Sequence, residues 1–440
     1  MSKVKEYASM TKDKLMLYTF VALLVLVGVS FVSFGLTSLI TAAIAVLVAL
    51  AIDLLISKLA VDAKPNILSA AVFGLIVALS YSLGLPTMRT LEVLALEAPD
   101  AYIFVAAISA IGMTVFKKLT ERKRVNPAAA AKFLVLLPFL DSMLLAKDHL
   151  VDGLLKVPSL AGPIGYAVIG GNGDPLYGSF ANYIVTCFAD PAITEIPEFV
   201  TQSDIVQLLL IQKFHGWIGG ICSIAVLVVG IALFVVARKY VKWRITVSYL
   251  VTIAVLAFAF SFLYGDGDPL LRVLFHLFIG SSLFLAFFMA TDPATTPLTY
   301  LGQIIFGVGL GIITILIQTY MGFFGGSILA LLIMNLTTPF LDKVGLLKPS
   351  AQKVEVKLPK GKQYTDVKVT NCIRCGACMR VCCHKLSPIL IKEAFDKQKV
   401  EKLIKLNPDL CDGCGHCNFV CPARIDLRGS ILRSKAFLRG

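Results

Sequence analysis

Charge is scarce along most of this 440-residue chain. Asp, Glu, Lys and Arg make up 16% of it, where a soluble globular chain carries about 25%. A chain so poor in charge, with 57% apolar residues, is for the most part dissolved in lipid. Also missing are a dinucleotide fingerprint, a pair of catalytic carboxylates and a positioned nucleophile, so the chain reads as one part of a larger assembly rather than a complete enzyme. No groove-reading motif or aromatic-basic interleaving accompanies its positive charge, which argues against nucleic acid as a partner. Cysteine is nearly absent from the first 371 residues. Only Cys187 and Cys222 occur there, each alone, and each reads as a packed small residue.

Long uncharged runs are what the first part does have. Ten candidate spans begin near Leu17, Leu36, Ile67, Ala101, Asn126, Gly216, Ile245, Leu270, Tyr300 and Phe323, each able to cross about 30 Å of hydrocarbon. The fifth, Asn126 to Ala146, is the weakest because it holds Lys132, Pro138 and Asp141. Lys3, Lys5, Lys12 and Lys14 precede the first run, but no small-residue cleavage site follows it, so it reads as a retained helix.

Loop charge then sets the orientation. Lys117, Lys118, Arg122, Lys123 and Arg124 follow the fourth span, and Arg238, Lys239, Lys242 and Arg244 follow the sixth. The alternate loops are acidic, with Asp148, Asp152, Asp174, Asp190, Glu195, Glu198 and Asp204 in one and Asp266 and Asp268 in another. The positive-inside rule therefore places both termini in the cytoplasm of a cell with this chain in its inner membrane. Pro138-Phe139-Leu140-Asp141 and Pro339-Phe340-Leu341-Asp342 close the fifth and tenth spans, the mark of an inverted repeat of five helices and five.

The composition changes near Leu341. From Lys343 to Gly440 there are 20 Lys and Arg against 8 Asp and Glu, so the tail supplies nearly all of the formal net charge of +13. A basic surface beside a membrane suits an acidic protein such as a ferredoxin or flavodoxin, or anionic headgroups. Within the tail Cys372, Cys375, Cys378 and Cys382 form C-x-x-C-x-x-C-x-x-x-C, and Cys411, Cys414, Cys417 and Cys421 repeat it, followed by Pro422. This spacing lets three thiolates of one loop hold three corners of a cubane cluster while the fourth reaches across to the other cluster. The expected ligand sets are Cys372, Cys375, Cys378 with Cys421, and Cys411, Cys414, Cys417 with Cys382. A pair of zinc sites would space its ligands as separated pairs instead. Gly376, Gly413 and Gly415 permit the tight backbone path. Cys383 stands where Pro is usual, either as a spectator or as a thiol that alters ligation; His384 and His416 flank ligands without being expected to coordinate.

The fold expected is an α-helical multi-pass membrane protein of about ten transmembrane helices plus a small α+β domain with two [4Fe–4S] clusters. The boundaries read as 1–342 for the membrane domain, 343–366 for a basic linker and 367–440 for the ferredoxin-like domain. Among single residues, Thr291 and Asp292 sit at a helix end broken by Pro293, either as a plain turn or as a place for a flavin or ion. Asp53, Asp141 and His276 are ionisable groups near or within spans, candidates for ion handling or, for the two aspartates, solvated anchors. His215 and Trp217 read as interfacial belt residues.

Phe288-Met289-Ala290-Thr291-Asp292-Pro293, with Pro297 and Gly302-Gln303, resembles the RnfD membrane family of Rnf complexes and its NqrB relatives of the sodium-pumping Nqr complex. The likeness continues through Asp268-Pro269-Leu270-Leu271, Trp243-Arg244-Ile245, Met334-Asn335 and Asn126-Pro127-Ala128-Ala129. The tail resembles the end of the RnfC family, at Cys417-Asn418-Phe419-Val420-Cys421-Pro422-Ala423-Arg424-Ile425. The resemblance implies an electron-transfer subunit of an ion-translocating complex, fed by ferredoxin or NADH, with further subunits as partners. It also implies a flavin, FMN or riboflavin. Covalent FMN is not expected, because the Ser-Gly-Ala-Thr motif that carries it is absent and Gly170-Gly171-Asn172-Gly173 is framed by no strand and helix. Two rival readings are a transporter-like protein with redox-sensing clusters and an assembly factor.

Overall fold

The computed structural model describes residues 11–59, 65–83, 94–118, 125–137, 209–211, 216–264, 269–278, 281–320, 325–346, 348–349 and 369–438. Helices α1 (Lys12–Phe34), α2 (Leu36–Leu59), α3 (Ile67–Leu79), α4 (Leu94–Lys118) and α5 (Pro127–Leu136) make the first group. Their starts are chemically marked. Thr11 caps α1 by accepting from the Lys14 N–H at 3.2 Å. Asn126 caps α5 by accepting from the Ala128 and Ala129 N–H groups at 3.1 and 3.2 Å, with Pro127 in the first turn, where its missing N–H costs nothing.

The second group is α6 (Ser223–Val236), α7 (Trp243–Tyr264), α8 (Pro269–Phe278), the short α9 (Ser282–Phe284) continued by a π-helical turn at Leu285–Met289, α10 (Tyr300–Tyr320) and α11 (Ser327–Leu341). By length and composition Lys12–Val32, Leu36–Leu59, Trp243–Phe262 and Tyr300–Thr319 can each cross a membrane alone, and α8 with Ser282–Met289 makes a fifth if counted as one broken span. All ten apolar runs thus carry a helix among the described residues, several of them shorter than a full crossing.

Four starts differ from expectation: α1 begins at Lys12, before Leu17, and α4 at Leu94, before Ala101, while the other two helices begin late. The run at Gly216 opens as a two-residue strand pairing antiparallel with Ser82–Leu83, and its helix begins only at Ser223. The last begins at Ser327, four residues after Phe323. The end of the fifth span, with Pro138 and Asp141, the acidic loop from Lys147 to Leu208, Cys187, His215 and most of the basic linker fall outside the described residues.

One apolar core runs through both groups, joining Leu23, Phe73 and Ile108 to Phe284, Phe306 and Leu331. Close approach requires small residues: a Cβ on Gly74 would stand 2.7 Å from the Val46 Cα, so only glycine lets α3 lie on α2. Trp217 is buried rather than interfacial. Its ring packs edge-on against Phe284 at 6.0 Å and carries the Lys132 ammonium 4.2 Å from its centroid, because the strand pair draws it into the core. Asp53 is likewise buried, and its carboxylate accepts from the Asn66 N–H at 2.9 Å.

The tail is helical among its described residues. Its expected strands are not seen there, and the segment before the first cysteine motif is tied to the one after the second by the Thr370 N–H donating to the Ala423 carbonyl at 3.0 Å. Helices α12 (Ala377–Arg380) and α15 (His416–Val420) each follow a cysteine loop, and α13 (Pro388–Asp396), α14 (Val400–Lys405) and α16 (Leu427–Phe437) pack beside them.

Candidate metal centre

The two cysteine loops repeat each other in backbone as well as in sequence. Arg374 and Gly413, two residues after the first cysteine of each motif, have φ of 54° and 72°; Gly376 and Gly415 have 71° and 80°; Lys385 and Arg424, three after the last cysteine, have 54° and 56°. At the first of these positions the left-handed turn aims an N–H at a sulfur, and at the last it aims one at the carbonyl of the motif's last cysteine, Cys382 or Cys421. The Arg374 N–H reaches the Cys372 sulfur at 3.3 Å, and the Gly413 N–H reaches the Cys411 sulfur at 3.4 Å.

The thiols fall into two neighbourhoods. Burial pushes the Cys372 thiol up to about 12, with the charges of Cys375 and Cys421 adding to it. Cys378 is pushed well up by burial and by Cys375, Cys372 and Cys421, with Cys417 of the other neighbourhood adding least. Burial likewise drives Cys417 up to about 12, helped by Cys411, Cys414 and Cys382, and Cys382 rises through burial and the charges of Cys414 and Cys411. Buried acids that repel one another as anions suit a cationic guest that takes the place of their protons. Cys382, Cys383, Cys411, Cys414 and Cys417 line one cavity together with His416. Nowhere among the described residues do three His, Cys, Asp or Glu side chains close on a single ion. Cys378 and Cys417, one from each neighbourhood, share a packed cluster with Leu390, Ala423 and Leu427. The donor set therefore fits two polynuclear, thiolate-bound groups side by side.

The first neighbourhood is pressed against the membrane helices. Leu298, just before α10, joins the cluster around Cys378, and a Cβ on Gly376 would stand 3.5 Å from the Leu298 carbonyl. Leu15 of α1 and Tyr240 after α6 pack on Ile373, Cys375 and Ala377. Asp342, at the end of α11, accepts from the Leu298 N–H at 2.9 Å and from the Arg374 guanidinium at 3.0 Å. Arg374 also pairs with Glu393 of α13. Arg380 donates to the Lys239 carbonyl, and the Pro422 carbonyl accepts from the Lys12 N–H. The start of α1, the loops after α6 and before α10, and the end of α11 thus share one end of the bundle, the end that carries the tail.

Thr291 and Asp292 shape that end. The Thr291 hydroxyl donates to the Phe287 carbonyl at 2.7 Å, and Asp292 accepts from the Ala294 N–H at 3.1 Å and the Thr295 hydroxyl at 3.2 Å. Both side chains are engaged in a local turn. Beneath it Lys242 donates to the Pro293 and Thr296 carbonyls at 2.9 and 2.8 Å and to the Thr296 hydroxyl at 3.0 Å. His276 belongs elsewhere. It bonds Gln318 at 3.0 Å, which lies roughly 27 Å up α10 from the tail-facing end at the usual helical rise.

Sequence marked Lys242 only as loop charge and did not single out Arg374 or Arg380. Their carbonyl and carboxylate partners lie far along the chain, and no spacing rule announces them. Burial lowers the Lys242 ammonium to about 7, against smaller opposing help from Asp342. Below pH 7 both folded and unfolded chains carry the proton, and the fold bears the cost of a buried charge. From about pH 7 to about 10 the unfolded chain alone keeps it, so stability rises with pH across that window. Thermal unfolding of the wild-type chain is therefore expected to shift upward across this interval relative to Lys242→Met, which removes the group that titrates.

Residues 371–425 match the 4Fe-4S dicluster domain. Over 129 residues the chain is 39% identical to the subunit designated D in the Na(+)-translocating ferredoxin:NAD(+) oxidoreductase complex of Acetobacterium woodii, covering 29% of this chain and 37% of the relative. It is 36% identical over 147 residues to the like-designated subunit of the proton-translocating ferredoxin:NAD(+) oxidoreductase complex of Clostridium ljungdahlii, covering 33% and 43%. Against the like-designated subunit of the ion-translocating oxidoreductase complex of Methanosarcina acetivorans it is 34% identical over 142 residues, covering 32% and 45%. The chain spans less than half the length of these curated relatives. Residues 4–349, well over half of the chain, match the NQR2, RnfD, RnfE family, and this membrane protein with its iron–sulfur tail belongs to it.

Proposed function

We propose that the chain is the electron-transfer subunit of a membrane-bound, ion-translocating oxidoreductase complex, carrying two [4Fe–4S] clusters on the cytoplasmic face of the inner membrane. The ligands of the first are Cys372, Cys375, Cys378 and Cys421, and those of the second are Cys411, Cys414, Cys417 and Cys382. Such clusters, when bound, supply one-electron storage at a potential set by hydrogen bonds, charge and exposure. The observation that carries this reading is the unequal setting of the two neighbourhoods. Cys375 and Cys378 are buried and held against the membrane end, whereas Cys411 and Cys414 are half-buried.

The residues around them give a direction. Arg380 and Lys242 act on Cys375, and Arg374 acts on Cys372. Positive charge beside the inner site favours the more negative, reduced state. At the outer site Lys435 acts on Cys411 but Asp412 opposes it. Electrons enter at the outer site from an acidic donor such as ferredoxin or flavodoxin and leave from the inner one toward the turn at Thr291 to Thr299. There a noncovalently held flavin or a neighbouring subunit receives them.

Residues 1–342 form the membrane domain, 343–366 the linker and 367–440 the cluster domain. The basic loop after α6 lies at the tail's end of the bundle, which supports a cytoplasmic placement under the positive-inside rule.

A second role in the same chain, ion handling within the membrane, is favoured by one feature. α8 and Ser282–Met289 form a bent pair, and the second part ends in a π turn, where the Ala290 N–H reaches the Leu285 carbonyl at 2.7 Å.

Membranes holding the chain, prepared without oxygen, are expected to show two reduced-cluster signals by electron paramagnetic resonance within seconds of adding a low-potential donor. Clusters that bind yet stay silent with every donor while a solute crosses would favour the sensing transporter.

A further inference from the structure

We propose that Cys383 is a second, exchangeable ligand of the outer cluster, so that this site is held by three fixed thiolates and one drawn from the pair Cys382 and Cys383. The inference rests on the cluster assignment above and goes beyond it in giving one site two ligation states.

Five thiols surround a cavity that needs four. Cys383 lines it together with Cys382, Cys411, Cys414 and Cys417, and its sulfur lies 3.9 Å from that of Cys414. It therefore stands on the wall of the cavity beside an assigned ligand, partly buried. The inner site has no such fifth thiol, because Pro422 follows Cys421 in the repeat. A proline at 383 would fix the backbone there and offer no donor atom, whereas cysteine leaves a donor in place.

The backbone beyond the pair orders the two states. Cys382 is met by the His384 and Leu386 N–H groups, and Cys383 by the His384 N–H and the Cys414 sulfur. Cys382, with two backbone donors, is the resident ligand. His384, buried and paired with Asp412, anchors the turn on which both stand. In the exchange the iron–sulfur bond to Cys382 breaks, the one to Cys383 forms, and the Cys383 proton passes to the released Cys382 thiolate. No electron is gained or lost.

The test uses the full-length chain purified without oxygen in detergent, with iron and sulfide measured per chain and reduced samples examined by electron paramagnetic resonance. Cys382→Ala is expected to keep both clusters with a changed outer signal. Cys382→Ala with Cys383→Ala is expected to lose about half the iron, as Cys411→Ala does. If Cys382→Ala alone drops to half while the wild-type chain holds both clusters, the inference fails and the cluster assignment stands. If the wild-type chain holds no cluster, the assignment itself fails and the inference with it. Should Cys382→Ala not accumulate, slow alkylation of the loaded wild-type chain decides by mass spectrometry: label on both Cys382 and Cys383 supports exchange, and label on Cys383 alone overturns it.

Discussion

Replacing Cys421 by Ser is expected to empty the site built from the other motif, the one holding Cys372, Cys375 and Cys378, and to leave the site of its own loop loaded. Iron per chain should fall by about half, and the surviving paramagnetic signal should be that of the outer cluster. The reason is spatial. The charge of Cys421 acts on Cys372, Cys375 and Cys378, whereas Cys417, only four residues before it, feels Cys411, Cys414 and Cys382. A ligand drawn from its own motif would predict the opposite survivor. Loss of the outer signal with retention of the inner one would therefore refute the crossed arrangement. Electron delivery to the membrane should stop as well, since the inner site is the one in contact with Leu298 and Tyr240.

Arg374→Met is expected to be among the most destabilising single changes at the junction between tail and membrane domain. Arg374 is 3% exposed and the Asp342 side chain 6%, so removing the guanidinium takes the ion-pair partner at 3.0 Å away from a buried carboxylate and leaves it the weaker help of Lys242, a loss of about 3 kcal/mol. Asp342 also holds the Leu298 N–H, so its disturbance reaches the turn on which the inner site rests. Trypsin should then cut the tail free faster than in the wild-type chain. Arg374→Met combined with Asp342→Asn should recover part of the loss, because the double change removes both charges together. Equal cleavage in wild type and Arg374→Met would show that the pair does not hold the tail in place. The same arginine sits at φ 54°, in a region costly for a residue with a side chain. The ion pairs at its far end help hold it there, so the cluster loop and the docking contact depend on one residue.

Much of this was legible in the residues alone. The uncharged runs announced the helices, since a span must satisfy its backbone within itself and only a long apolar stretch does so in lipid. The cysteine spacing announced cubane sites, because ligand position is set by a few bonds of local chain. Gly376, Gly413 and Gly415 were visible as residues able to take positive φ, while Arg374 was hidden by its side chain, as were Lys385 and Arg424. Trp217 was misread for a different reason. An aromatic beside a span suits the interface by composition, and only the pairing of Gly216–Trp217 with Ser82–Leu83 carries it inward.

By itself the sequence determined that this chain enters a membrane and ends in two thiolate-rich loops, because hydropathy and ligand spacing act over a few residues at a time. Tertiary structure alone decided which loop meets the membrane. The Asp342–Arg374–Glu393 chain of charges, the Lys242 ammonium under Pro293 and Thr296, and the seating of Leu298 on Gly376 join segments far apart in the chain. No local pattern encodes such meetings, since they exist only where separate helices end at the same place.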